Sequence, residues 1–318
     1  MNIFKIAVFT KNKNKLFRKT FDQKDDEIVE NISENKNKTK NNLKSKNNKI
    51  NKYFEPFIGG GAFFFYLVSN YNIKEAYLYD INRELILTYN VIKNDVEELI
   101  NELLALKNSY LPKDDDERKE FYYDIRNKFN EDVSTFNFEN YSDKHIIRGA
   151  YTIFLNKTCF NGLFRLNKKG EFNVPIGRYK NPAILDVENL RNVSKALKIA
   201  KIYNKSFLES EDLIDENSLV YLDPPYRPLN KTSNFTSYSQ NEFTDNNQIE
   251  LGAYFKRIIS KGAYAILSNS DPKNEDKNDN FFDDLYSDYD IRRVKAKRFI
   301  NRNANKRGEI NELLIKNY

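Results

Sequence analysis

Apolar residues along this chain fall into two alternating patterns. Short runs at 53–57, 75–80, 200–204, 218–222 and 263–270, bounded by turn residues, read as strands. Between them, segments with helical spacing at 62–68, 187–200 and 248–261 predict helices. Strand and helix taking turns in this way imply an α/β protein with an open, mostly parallel sheet. A long segment interrupts that alternation after the second strand. Residues 83–155 are periodic and helical with an acidic break at "LPKDDDER", and "NKKGEFNV" (167–174) reads as a β-hairpin with Gly170 at its turn. The pattern closes on two strands, "IRRVKAKRF" and "EINELLIKNY". At the other end, "MNIFKIAVFT" predicts a short strand. Residues 31–52, almost without apolar side chains, cannot repay the entropy of ordering and predict a linker.

A chain of 318 residues can bury a substantial core without covalent help. Cys159 is the only cysteine, which excludes an intramolecular disulfide and a thiolate zinc cluster, and His145, the only histidine, cannot build a histidine metal site alone. No metal is expected. No apolar run approaches the roughly 20 residues of a membrane span, so a soluble, cytoplasmic protein without membrane contact is expected. The net charge of +6 is uneven: residues 1–52 carry 14 Lys+Arg against 6 Asp+Glu, leaving 38 against 40 in the rest. Two local basic stretches, 165–180 and 292–307, say more, because such runs suit either a solvated face or a polyanion.

Two turns carry chemistry. In "EPFIGGGA" a strand runs through glycines into a helix, which brings backbone N–H groups and a helix N-terminus close to a ligand. Asp80, at the end of the next strand, stands where an acid holds ribose hydroxyls. An adenosine-containing cofactor is implied, although tight packing turns use glycine too. Phe64 stands where a dinucleotide fingerprint would have its third glycine, which disfavours nicotinamide cofactors. The second turn is "DPPY". Asp223 follows a strand and so lies in the crevice where open α/β sheets bind ligands. Pro224 and Pro225 have no amide hydrogen and stiffen the carbonyls beside them, while Tyr226 offers a flat face on which a base stacks, worth about 1–3 kcal/mol. The turn therefore presents acceptors for an amine and a platform for the ring that bears it.

Together with "NKTCFNGLFRLNKKGEFNVPIGRYKNP", "FTSYSQNEF" and "AYAILSNSD", these motifs resemble the Dam-type DNA adenine methyltransferases, particularly the GATC-modifying members of restriction systems. The likeness runs from Tyr53 to Tyr318. It implies a Rossmann-like methyltransferase fold, an open twisted sheet with an inserted, mostly helical DNA-recognition subdomain that bears a β-hairpin. It divides the chain into a divergent N-terminal segment and Lys/Asn-rich linker (1–52), a catalytic domain (53–82 and 183–318) and a recognition subdomain (83–182). S-adenosylmethionine is implied as methyl donor and the exocyclic amine of an adenine flipped out of duplex DNA as acceptor. By the same resemblance Asp223, Pro224, Pro225 and Tyr226 are catalytic, and Glu55, Pro56, Phe57, Gly59, Gly61, Asp80, Ser206, Phe207 and Asp223 hold the cofactor. Phe160, Asn161, Leu163, Arg165, Pro175, Arg178 and Tyr179 contact DNA, with Arg165 reading a guanine and Phe160 inserting as an apolar wedge. The basic segment 292–307 would track phosphates. A monomer is implied, with a cognate restriction endonuclease as a separate partner.

The pattern breaks in two places. The tryptophan, paired glycines and lysine that relatives carry ahead of the first strand are missing, and Ser206 stands where relatives have an acid for the cofactor's adenine amine. A catalytically impaired DNA-binding remnant is therefore the alternative to an active enzyme. Methylation of RNA, or of a glutamine amide in protein, is a third reading, disfavoured by the aspartate that opens "DPPY". Cys159 follows threonine and is read as packing rather than as a nucleophile, and His145 as structural or surface.

Overall fold

The computed structural model describes residues 50–71, 73–227, 243–297 and 309–318. The strand expected at 1–10, nearly all of the linker, most of "FTSYSQNEF" and residues 298–307 of the basic segment lie outside them.

Five parallel strands form the heart of a seven-stranded sheet in the described residues: β1 (Lys52–Glu55), β2 (Glu75–Tyr79), β3 (Ala200–Tyr203), β4 (Ser218–Leu222) and β5 (Tyr264–Ser270). β6 (Asp290–Lys297) and β7 (Glu309–Lys316) complete it as an antiparallel pair, and the order is β3-β2-β1-β4-β5-β7-β6. β4 runs as a near-continuous apolar stretch because helices cover both faces, so neither side of the strand needs polar residues. Alternate residues nevertheless separate. Tyr53, Leu219 and Tyr221 enter one hydrophobic cluster and Phe54, Val220 and Leu222 the other, as the period of two in a pleated strand requires.

The hydrophobic cluster on one side of the sheet takes in α1 (Ala62–Asn70), α2 (Arg83–Asn94), α3 (Val96–Tyr110), α4 (Asp115–Glu131), α5 (Asp143–Thr158) and α6 (Val187–Leu197). The cluster on the other side takes in α7 (Asp245–Ser260), α8 (Phe281–Leu285) and a 3-10 segment, Phe207–Leu213. The inserted segment does not build a core of its own. Tyr122, Phe154 and Phe172 belong to the same continuous cluster as Tyr53 and Leu219 of the sheet.

The acidic break expected at 111–118 is shorter than its composition suggests. Asp114 accepts from the Glu117 N–H at 2.9 Å while the Glu117 side chain accepts from the Asp114 N–H at 3.0 Å, so the acids form a capping box and the first turn of α4. Carboxylates suit that position because the helix dipole is positive there. Within the inserted segment a buried ion pair joins α5 to α2. Arg148 of α5 donates from Nε and Nη2 to the two oxygens of Glu84 in α2, at 2.8 and 2.7 Å.

Gly170 adopts φ 82° at the tip of the expected hairpin, which pairs through a single antiparallel bridge, Leu166 with Phe172. Asn167 secures the turn: its Oδ1 accepts the N–H groups of Lys169 and Glu171 at 2.9 and 3.0 Å.

Candidate active site

The strand order reverses between β1 and β4. From β1 the chain steps outward to β2 and β3, whereas from β4 it steps the other way to β5, and all five run parallel. The crevice at such a reversal, beyond the carboxyl ends of the strands, is where open α/β sheets take ligands. β1 leads into the glycine turn and β4 into "DPPY", so the two chemistry-bearing motifs leave adjacent strands at the same edge. The register pairs Phe54 with Val220, which sets Glu55 level with Tyr221, two residues before Asp223.

On the β1 side the backbone folds over the end of β2. The Ile58 N–H donates to the Tyr79 carbonyl at 2.9 Å, and the Gly59 N–H donates to Asp80 Oδ2 at 3.1 Å. The other Asp80 oxygen accepts from the Asn82 N–H at 2.9 Å. Burial raises the Asp80 carboxyl above its ordinary pKa, against the pull of these two backbone donors. Gly59 and Gly61 have φ of 45° and 67°, a conformation that strains any L side chain. At Gly61 a Cβ would also lie 2.8 Å from the Phe65 ring. Gly61 caps α1 without a side-chain hydrogen bond, so no side chain of its own satisfies the first N–H groups of that helix. Glu55 is buried at the end of β1 and accepts from the Tyr53 hydroxyl at 2.7 Å; burial, then Glu55, pushes the Tyr53 phenol pKa well up.

Phe57 and Phe207 meet with ring centroids 5.4 Å apart, and Phe243, just ahead of α7, closes edge-on against Phe57 at 5.8 Å. Ser206 stands beside this aromatic group, but its hydroxyl caps the 3-10 segment, accepting from the Leu208 N–H at 3.4 Å. An acid held by backbone amides, a helix start without a side-chain cap and a cluster of aromatic rings fit the adenosine half of S-adenosylmethionine.

On the β4 side the segment after Leu222 is held by neighbours from three elements. Ser268 of β5 donates to Asp223 Oδ1 at 2.6 Å and lies 3.4 Å from the Tyr221 hydroxyl. Gln248 of α7 donates to the Pro225 carbonyl at 3.2 Å, and Tyr226 donates from its hydroxyl to Glu312 of β7 at 3.1 Å. Arg227 then anchors the chain. Its guanidinium binds Asp245 at 2.7 and 3.0 Å and Asp279 at 2.6 Å, and stacks 4.4 Å over Phe281.

Ser268 and Asn269 lie inside the motif "AYAILSNSD" and Arg227 directly follows "DPPY", but no motif or spacing assigns any of them, or Gln248, a role. Two signals were there to be used. Gln248 opens the apolar stripe Gln248, Leu251, Gly252, Phe255 of α7, where an amide is out of place, and "SNS" ends an otherwise apolar strand.

The residues expected to meet DNA occupy a separate segment between α5 and α6. Phe160 and Tyr179 are exposed apolar rings, 50% and 41% accessible, and Asn161, Arg165, Pro175 and Arg178 are exposed with them, while Leu163 is half-buried. The strands that carry them are stitched by the Phe160 N–H to the Pro175 carbonyl at 2.8 Å and by a Cys159–Ile176 bridge. Asn161 takes φ 56°, a left-handed conformation that asparagine tolerates better than most residues. Arg165 is oriented by Asn173, whose Oδ1 accepts from its Nε at 2.7 Å.

Cys159 is buried, and burial pushes its thiol pKa up to about 12, which suits packing and not nucleophilic attack. His145 is buried rather than at the surface: its Nδ1 accepts from the Ser142 N–H at 3.1 Å at the start of α5, between the rings of Phe136 and Tyr141. Among the described residues no cluster of His, Cys, Asp and Glu could hold a metal, and no helix is long and apolar enough to cross a membrane.

Comparison with known proteins bears directly on this geometry. The family model for D12 class N6 adenine-specific DNA methyltransferases matches residues 10–300. The chain is 50% identical over 274 residues to the Type II methyltransferase M.MjaIII of Methanocaldococcus jannaschii, covering 86% of this chain and 90% of that protein. It is 36% identical to the Type II methyltransferase M1.LlaDCHI of Lactococcus lactis subsp. cremoris, over 85% and 87% of the two chains. With the DNA adenine methylase of Escherichia coli the identity is 33%, over 82% and 84%.

Proposed function

The chain belongs to the D12 class of N6 adenine-specific DNA methyltransferases, and from that premise we propose that it methylates the adenine of GATC in duplex DNA, with S-adenosylmethionine as donor and the target base flipped out of the helix. The observation that carries this reading is the meeting of the glycine turn and "DPPY" at the reversal of strand order, between β1 and β4.

When bound, S-adenosylmethionine supplies an electrophilic methyl group on a sulfonium. Asp80 would hold its ribose, and Phe57 and Phe207, with Glu55, Pro56, Gly59, Gly61 and Ser206, the rest of the adenosine site. The amine of adenine is a poor nucleophile because its lone pair is delocalised into the ring. Asp223 and the Pro224 carbonyl accept hydrogen bonds from that amine and favour a pyramidal nitrogen, with Pro225 stiffening the turn. Tyr226 stacks on the ring and fixes its plane. Alignment and preorganised acceptors then supply the rate, with no covalent enzyme intermediate.

The inserted segment is the DNA reader in this scheme. Arg165 pairs with a guanine, Phe160 enters the stack beside the extruded base, and Asn161, Leu163, Pro175, Arg178 and Tyr179 complete the contact. The likeness to Type II methyltransferases supports a place in a restriction-modification system, and the proposal takes the enzyme to be monomeric and cytoplasmic with the endonuclease as a separate protein.

The test is transfer of labelled methyl from S-adenosylmethionine to unmethylated GATC duplex. Wild type should label it, and Asp223→Ala should not. DNA binding without any incorporation by wild type would replace this reading with that of a DNA-binding remnant.

A further inference from the structure

We propose that Gln248 and Asn269 are positioning residues for methyl transfer, acting through the two peptide planes that flank Tyr226. The proposal rests on the reading of "DPPY" given above and adds to it two residues outside that motif.

The physical need comes from the prolines. Neither Pro224 nor Pro225 has an N–H, so this stretch cannot hold itself by a turn of its own donors, and the direction of its carbonyls must be set by groups from elsewhere. Gln248, on α7, donates from Nε2 to the Pro225 carbonyl at 3.2 Å, which fixes the peptide plane before Tyr226. Asn269, on β5, accepts at Oδ1 from the Arg227 N–H at 3.2 Å, which fixes the plane after it. The two amides are joined to each other, Asn269 Nδ2 donating to Gln248 Oε1 at 3.1 Å. Asn269 Oδ1 also accepts from the Ser270 N–H at 2.9 Å, and Ser270 Oγ donates to the Arg227 carbonyl at 2.9 Å.

Both amides are fully buried. Each uses its donor and its acceptor, a combination that only a carboxamide offers at this length; a carboxylate lacks the donor and an apolar side chain lacks both. Two buried amides are a costly way to fill space where leucine or methionine would pack, unless their directionality matters. Here it matters for Tyr226. With both neighbouring peptides clamped, the Cα–Cβ bond of Tyr226 has one direction, and its hydroxyl is met at the far end by Glu312. Occupying the Pro225 carbonyl with Gln248 also withdraws that oxygen as a competing acceptor for the substrate amine, which leaves the amine to Asp223 and Pro224.

Two variants of the full chain test this from opposite sides. Gln248→Met keeps the length and removes the hydrogen bonds, and Asn269→Asp keeps the acceptor for Arg227 while removing the donor to Gln248. Single-turnover methyl transfer on a GATC duplex should slow on the order of 100-fold in each, the scale of an ångström's misplacement at a reacting centre. Affinity for S-adenosylmethionine, by calorimetry, and for DNA should stay within about twofold. With 2-aminopurine at the target position, the fluorescence of the bound duplex should differ from wild type, because the stacking of the ring on Tyr226 has changed.

Wild-type rates in both variants overturn the inference and leave the proposed function standing. So does a loss of rate that follows a loss of cofactor binding or of folding in both, since the pair would then be structural. Wild type without methyl transfer overturns the underlying reading and the inference with it.

Discussion

Breaking the ion pair between Arg148 and Glu84 should destabilise the protein more than removing both partners. The Arg148 side chain is 3% exposed and that of Glu84 0%. Besides the bidentate contact with Glu84, Arg148 Nη1 donates to Asp132 at 2.8 Å and to the Phe129 carbonyl at 3.1 Å, and the guanidinium lies 4.3 and 4.6 Å over the rings of Phe129 and Phe136. Arg148→Met leaves Glu84 charged, buried and without its cation, a situation that costs about 3–5 kcal/mol. Glu84→Gln is milder, because Asp132, whose side chain is 46% exposed, still balances the arginine; about 3 kcal/mol is expected. With about 2.1 cal/mol/K of unfolding entropy per residue, each kcal/mol lowers the Tm of a 318-residue chain by roughly 1.5 °C, so Arg148→Met should melt roughly 4–8 °C below wild type. The double variant Glu84→Gln/Arg148→Met leaves neither partner of the pair charged and should be more stable than Arg148→Met alone. Calorimetric melting of the four proteins decides it. If the two single losses simply added in a double variant, the pair would be no coupled unit and the reasoning would fail.

Other consequences follow from the site. Cys159→Ala should keep methyl transfer and cost about 1 kcal/mol, the scale of a small core deletion; a folded variant without activity would sink the packing assignment. Arg165→Ala should lose about 1–3 kcal/mol of discrimination at one guanine while the salt dependence of binding hardly changes, whereas equal weakening on all sequences, with a shallower salt slope, would make it a phosphate contact. Burial raises the Asp80 pKa in the fold. Its ionised form is therefore disfavoured there, a stability deficit at neutral pH that disappears as pH falls below the unfolded value. Ribose hydroxyls need the ionised form, so on acidification affinity for S-adenosylmethionine should begin to fall while the pH is still above about 4, the ordinary carboxylate value. Asp80→Asn should bind weakly at every pH, and an affinity that is flat with pH in wild type would refute the role.

The parts of this protein legible in its sequence are those whose chemistry is local. Glycines at positive φ, an aspartate after an apolar strand, two prolines and a tyrosine announce a turn and its direction wherever the rest of the chain lies, and Gly170 announces the hairpin tip in the same way. What stayed hidden depends on partners far along the chain. Arg148 and Glu84 are 64 residues apart, and Gln248 and Pro225 are 23 apart on different elements. A polar residue at an apolar helical position marks a buried partner but does not say which one. The acidic run at 114–117 misled in the opposite sense, because composition alone does not separate a solvated loop from the first turn of a capped helix.

Charge shows the same division most clearly. Counted along the sequence, 165–180 and 292–307 look equally suited to a polyanion. In the described part of the second stretch Arg293 is held by Asp271 at 3.0 Å and by Asp283 at 2.8 and 2.9 Å, and Arg292 by Asp290 at 3.0 Å, so these two guanidinium groups are matched by carboxylates, while Arg298, Arg302, Lys306 and Arg307 lie outside the described residues. Arg227 is bound in the same way by Asp245 and Asp279, which makes it an anchor of the turn that follows β4. In the first stretch Arg165, Lys168, Lys169, Arg178 and Lys180 are all exposed, and the same surface carries the accessible rings of Phe160 and Tyr179. Cations interleaved with aromatic rings attract a backbone and stack on bases at once. Replacing Arg178 and Lys180 should therefore weaken DNA binding and its salt dependence, while Arg293→Ala should act on stability, and the reverse pattern in a salt titration would move the DNA face to the other end of the sheet.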